Sequence, residues 1–142
     1  MTLEELQDII EKDLTIDKIA LDIESLKTPQ LYNKYMKHLN NFKLLKKKAF
    51  SDYDTLRRDR WEYYTGKSDP DVYKLEPFNL KILKTDVEKY LDADPKLQKA
   101  SDKCEYLTVV CDYLEKTVKQ ISSRSFDIKN AIEWQKFTSG AI

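Results

Sequence analysis

With 142 residues, 41% of them apolar and 35% charged, the chain is too apolar to be disordered and too charged for a large private core. One domain, or one small globule carrying long helices, is the expected scale. Two glycines and four prolines are too few for the many turns of a sandwich or barrel, which favours an all-α fold.

The net charge of zero hides an asymmetry: residues 1–26 hold eight acids and two bases, whereas 43–67 hold eight bases and four acids. Patches of this kind, rather than totals, steer polyanions. The start, MTLEELQDIIEKD, is acidic and amphipathic, unlike a signal peptide. No apolar run approaches the ~20 residues needed to span a bilayer, so a cytoplasmic setting without a membrane is expected.

Thr2 and Glu5 predict a capping box opening a short helix with Leu3, Leu6, Ile9 and Ile10 on one face. A second short helix is expected from near Asp17, partly burying Ile19, Leu21, Ile23 or Leu26, so that residues 1–27 form the short N-terminal helices. Thr28-Pro29 then joins a capping hydroxyl to a proline at the first helical position. No Gly or Pro follows until Gly66, a suitable stop, which predicts a long helix over 29–65. Along it Tyr35, Leu39, Phe42, Lys46, Ala49, Tyr53, Leu56, Arg60 and Tyr63 alternate fours and threes as a heptad seam. Its two bases, Lys46 and Arg60, are expected at a wet end or where the seam faces something other than protein.

Residues 66–94 read as an irregular connection, with a short helix or turn around Leu80–Leu91. Asp94-Pro95 repeats the cap-then-proline signature and predicts a helix over 95–138. Leu97, Ala100, Cys104, Leu107, Cys111, Leu114, Val118, Ile121, Ser125, Ile128 and Ile132 form its seam. A rod of roughly 60 Å is too long for a chain of this size to cover alone. Pairing with the 29–65 helix covers one side, and neighbouring copies are expected to cover the rest through Leu107, Cys111, Leu114, Val118, Ile121, Ile128 and Ile132. The fold class is therefore all-α, a long helical hairpin or coiled coil that self-assembles; a monomeric helical hairpin is the alternative. Cys104 and Cys111 lie two turns apart, ~10 Å along the axis, beyond disulfide reach, which suits a reducing compartment.

Catalytic arrangements are not evident. His38 is the only histidine, and two cysteines fall short of a structural zinc site. Neither Gly66 nor Gly140 belongs to a phosphate-cradling loop. No enzyme activity, metal or cofactor is expected.

The binding case rests on LRRDRWEYYTGKSD, Leu56 to Asp69, which interleaves Arg57, Arg58, Arg60 and Lys67 with Trp61, Tyr63 and Tyr64. Single strands are held by cations on phosphates and flat side chains under splayed bases. The expected contacts are Arg57, Arg58, Arg60, Tyr63, Tyr64 and Lys67, extended upstream by Lys46, Lys47 and Lys48. The competing reading is a coiled-coil structural or adaptor protein without nucleic-acid binding, whose cations complement a helix dipole and whose aromatics pack.

The run DRWEYYTGKSDPD, the start MTLEELQDIIEKDLTID and the late stretch ISSRSFDIKNAIEWQKFTSG together resemble the UvsY-type recombination mediators of T-even-like bacteriophages. Their order and spacing match over essentially the whole chain. The resemblance implies a ring-like homo-oligomer that binds single-stranded DNA in the cytoplasm of an infected bacterium. It would help a RecA-like recombinase load onto strands coated by the phage single-strand DNA-binding protein. On that basis Arg58 and Arg60 match the family's DNA-binding basic pair, Lys67 matches the base after the glycine, and the C-terminal helix matches the oligomerisation region. Asp59 in place of a small neutral spacer and Ser125 in place of a glycine are departures. The first implies weaker DNA affinity, and the second suits an unbroken helix.

Overall fold

Helix α1 (Leu3–Leu14) opens on the predicted reciprocal cap: Thr2 Oγ1 accepts from the Glu5 amide, and Glu5 Oε2 accepts from the Thr2 amide. The computed structural model describes residues 1–140, and its other helices are α2 (Leu21–Tyr64), α3 (Pro70–Leu75), α4 (Val87–Asp92) and α5 (Pro95–Thr138). A single 3-10 turn, Lys84–Asp86, precedes α4, and no strand occurs among the described residues. The chain divides into two units. One holds residues 1–42 and the chain from Val109 onward, and the other holds Lys43–Thr108.

In the first unit, α1 lays Leu6 and Ile10 against Tyr35 and Leu39 of α2 and against Val110, Cys111, Leu114, Val118 and Ile121 of α5. Asp13 ties α1 to α2 by accepting from Lys34 Nζ and from the Tyr35 hydroxyl, each at 2.6 Å.

Helix α2 begins at Leu21, not at Pro29, and Pro29 lies inside it. Asp17 forms a turn, taking the Ile19 amide on its side chain, and starts no helix of its own. Of the apolar residues expected to be buried here only Leu21 is; Ile19, Ile23 and Leu26 are exposed. An interior proline deprives the Ser25 carbonyl of a donor and crowds that turn. Arg124 of α5 braces the residues before the proline from across the unit. Its buried guanidinium donates to the Glu24 carbonyl, to the Glu24 carboxylate and to Thr28 Oγ1.

The second unit is organised by Asp94. One carboxylate oxygen accepts from the Lys96 and Leu97 amides at 2.8 and 3.0 Å, capping the first turn of α5 as the sequence predicts. The other accepts from Arg60 Nε at 2.7 Å and from the Tyr64 hydroxyl at 2.6 Å. Glu76 takes the remaining Arg60 nitrogens at 3.0 and 3.2 Å. Around this node pack Val87, Leu91 and Leu97 with Tyr53, Leu56, Tyr64 and Ile82. Arg60 therefore sits neither at a wet end nor against a foreign surface. It is an interior cation whose charge is fully answered.

The α5 seam also differs in role from expectation. Leu107, Cys111, Leu114, Val118, Ile121 and Ile128 are all buried within the single chain, and Ile132 is half-buried. Four of the side chains assigned to assembly, Cys111, Leu114, Val118 and Ile121, pack in the chain's own core with Leu6 and Ile10 of α1 and Tyr35 and Leu39 of α2. Arg124, not Ser125, takes the inward position near the end of that seam.

Leu114→Asp or Ile121→Asp should therefore unfold the chain, since a carboxylate in a closed core has no partner. Helical circular dichroism and light scattering together decide this: a folded variant with only a smaller assembly mass would restore the seam as a joint between copies.

The buried carboxylates set the acid response. Lys27, then Arg124, outweigh burial to hold Glu24 below its ordinary 4.5, and Arg60 does the same for Glu76. For Asp94, burial pushes upward, but Tyr64, the Leu97 amide and Arg60 together hold it below 3.8. A depressed carboxylate adds stability above its unfolded value and loses it as pH falls through the folded value. The melting temperature should thus hold from neutral pH to about pH 5 and fall steeply below about pH 4. Asp94→Asn should lower the neutral-pH value and flatten the acid drop; a parent protein insensitive to that range would contradict the node.

Candidate nucleic-acid interface

Helix register divides the basic and aromatic end of α2 into an inward and an outward half. Arg60 is 6% exposed and Tyr63 3%. The Arg60 guanidinium carbon lies 4.1 Å from the centre of the Tyr63 ring, and the Tyr63 hydroxyl donates to the Glu76 carbonyl at 3.0 Å. Tyr64 packs against Phe78 and Tyr90 while its hydroxyl holds Asp94. Three of the expected DNA contacts, Arg60, Tyr63 and Tyr64, thus belong to the interior of this unit. Burial and the Asp94 bond raise the Tyr64 hydroxyl above its ordinary value, as befits a committed donor.

The outward half holds Arg58, Trp61 and Lys67. Arg58 is 66% exposed in its side chain and pairs with its neighbour Asp59 at 3.0 Å, with Glu62 one turn on adding to the field; an ion pair this exposed leaves the guanidinium available to an anion. Arg57 is half-buried and engaged by Glu88 at 2.6 Å, so its charge is already answered. Helix α2 ends in a Schellman turn: the Lys67 amide donates to the Glu62 carbonyl at 2.8 Å and the Gly66 amide to the Tyr63 carbonyl at 3.3 Å. Gly66 adopts φ +77° to make this turn, a conformation that other residues reach only at a cost. The turn folds Lys67 back so that Nζ stands 4.4 Å from the centre of the Trp61 ring.

The three upstream lysines do not act as one track. Lys47 and Lys48 are exposed, whereas Lys46 is half-buried on the seam and reaches toward Phe50, 6.0 Å from its ring centre. Lys43, Lys47, Phe50, Asp54, Arg58 and Trp61 recur at threes and fours, share one face of α2, and are all exposed. Lys47 is the one predicted lysine in line with Arg58 and Trp61. This stripe runs ~27 Å along the helix, with cations at both ends and an aromatic near each.

Phe50 and Trp61 were not among the expected contacts, although the signal was present. Placing Arg60 and Tyr63 on the seam requires them to turn inward and Trp61 to turn out. The stripe offers cations to phosphates and flat rings to bases, and no nucleophile, acid or base poised for bond chemistry. Among the described residues no group of three or more His, Cys, Asp or Glu could hold a metal ion, and no helix is long and apolar enough to cross a membrane.

Comparison with known proteins identifies the family. A family model described as the recombination, repair and ssDNA binding protein UvsY matches residues 9–141. The recombination protein uvsY of Enterobacteria phage T4 is 26% identical over 140 residues, 99% of each chain. A crystal structure of the bacteriophage T4 recombination mediator protein UvsY, in lattice type II, aligns with a TM-score of 0.84 at 26% identity over 98% of both chains. Lattice type IV aligns with a TM-score of 0.82 at 24% identity, over 97% of this chain and 99% of that one. The chain belongs to the UvsY family of recombination, repair and single-stranded-DNA-binding proteins.

Proposed function

We propose that this protein is a recombination mediator that binds single-stranded DNA and assists a RecA-like phage recombinase to load onto strands coated by the phage single-strand DNA-binding protein. The observation that carries the reading is the exposed stripe of α2, in which Lys47, Arg58 and Trp61 align and Lys67 is folded over the indole. Arg58, Lys47 and Lys67 take phosphates, with Lys48 beside them, and no base edge is read, so binding is indifferent to sequence. Function follows from holding the strand in a form the recombinase accepts and the coating protein does not. No bond is made or broken and no cofactor takes part. The setting is the cytoplasm of the infected bacterium.

Self-assembly into a homo-oligomeric ring remains part of this reading, carried by a different surface from the α5 seam. In the first unit Leu26 at the start of α2 and Phe126, Trp134 and Phe137 on α5 are each more than half exposed, and Trp134 and Phe137 stack at 5.7 Å. Exposed apolar side chains of this size support contact between copies. Trp134→Asp combined with Phe137→Asp should reduce the native mass without loss of helicity; an unchanged mass by light scattering would remove this surface from the assembly.

DNA binding is tested by salt and by charge removal. Log affinity for a single strand should fall linearly with log salt, with a slope of about −0.7 per neutralised phosphate. Arg58→Ala with Lys67→Ala should weaken binding to every sequence and flatten that slope, while stability changes by less than ~0.5 kcal/mol. Arg60→Ala should instead destabilise the fold by roughly 3–5 kcal/mol, because it leaves the Asp94 carboxylate buried and unanswered. Salt-independent retention would mean that the basic stripe is not the contact surface, and no retention at low salt would favour the adaptor reading.

A further inference from the structure

We propose that Trp61 is the base-stacking residue of this surface, held in place by Lys67 on one side and receiving an unstacked nucleobase on the other. The inference rests on the reading that the α2 stripe binds single-stranded DNA, and adds to it the contact that distinguishes single from double strands.

The other aromatics near this helix end are already occupied. Tyr63 is enclosed by Arg60, Tyr64, Tyr73 and Phe78. Tyr64 is fixed by Asp94, and Tyr73 donates to the Tyr63 carbonyl at 2.9 Å. Trp61, on the opposite side of the same turn, is 40% exposed, and its ring is met by the Lys67 ammonium. A cation against an indole is attracted by the ring quadrupole. It fixes the ring's orientation and places a phosphate-binding charge beside a flat face, the pairing that single-strand sites use.

A hollow of about 300 Å³ lies beside the ring, lined by Asp54, Arg57, Arg58, Trp61, Glu88 and Leu91. Its polarity selects what enters. Asp54 and Glu88 are matched in number by Arg57 and Arg58, and Glu88 pairs with Arg57 at 2.6 Å, so the lining has no net charge to draw a phosphate inside. A neutral base is the part of a nucleotide that fits, with its phosphates directed to Arg58 and Lys67 on the rim. In duplex DNA the base faces are covered by their neighbours, so this contact is open only to a strand whose bases can be splayed. Gly66 is part of the device, because its positive φ returns Lys67 to the indole.

The test uses the full-length protein with a thymidine oligonucleotide and an abasic oligonucleotide of the same length and phosphate number. The thymidine strand should quench tryptophan fluorescence and bind more tightly than the abasic strand. Trp61→Phe should abolish most of the quenching while keeping most of the affinity. Trp61→Ala should lower affinity for the thymidine strand about tenfold, leave the salt slope unchanged, and make the two strands equivalent. Circular dichroism confirms that each variant is folded. Equal binding of both strands by the parent, with Trp61→Ala unchanged, would overturn the stacking role and leave the charge reading standing. Failure of the parent to bind either strand at low salt would overturn both.

Discussion

Asp94 joins the end of α2 to the start of α5 through a single buried carboxylate. One of its oxygens starts α5 and the other receives Arg60 and Tyr64 from the last turns of α2. A carboxylate buried to this degree is tolerated only when every lone pair is answered, and here the donors are Arg60 and Tyr64 of α2 and the first two amides after Pro95 in α5, while Glu76 takes the rest of the Arg60 charge. The site depends on this node because Arg60 fixes the rotation of α2. With Arg60 and Tyr63 directed inward, Arg58 and Trp61, each two residues before one of them and so about half a turn round the helix, must face outward, and Lys67 follows through the Gly66 turn. The surface proposed to meet DNA is thus the complement of a buried ion network.

The first unit uses the same device for a different purpose. Arg124 meets Glu24 and Thr28 in the turn that an interior proline weakens. Both units bury an arginine against acids distant in the chain, which gives charge-rich helices a defined register where apolar area is limited. Ion pairs of this kind add little net stability over an apolar substitute, yet losing one partner is costly. They select one packing among several that an apolar seam of repeating threes and fours would accept.

Local signals were legible in the sequence. The Thr2–Glu5 cap, the Asp94-Pro95 start, the Gly66 stop and both seams are short-range patterns, and each appears where its residues require. What could not be read was set by partners distant in the chain. Arg60 and Asp94 are 34 residues apart, and Arg124 and Glu24 are 100 apart. Without those partners Arg60 looked like a free cation, and Thr28-Pro29 looked like a beginning. The seam of α5 was legible as apolar, but not that α1 would close over it. In the candidate site, Arg58, Lys47 and Lys67 keep the exposure that binding needs, whereas Tyr63 and Tyr64 exchange places with Trp61. The Asp59 departure is also placed: it lies beside Arg58 at the surface, where it tempers that charge without removing it.

The central claim is that two arginines two residues apart, Arg58 and Arg60, have opposite roles, one facing DNA and one holding the fold. Arginine-specific chemical modification of the unaltered protein, read by mass spectrometry with and without a single-stranded oligonucleotide, tests it directly. Arg58 should react in the free protein and be protected by the strand, while Arg60 stays unreactive in both states. Reaction of Arg60 at the rate of Arg58, with both protected alike, would contradict the account.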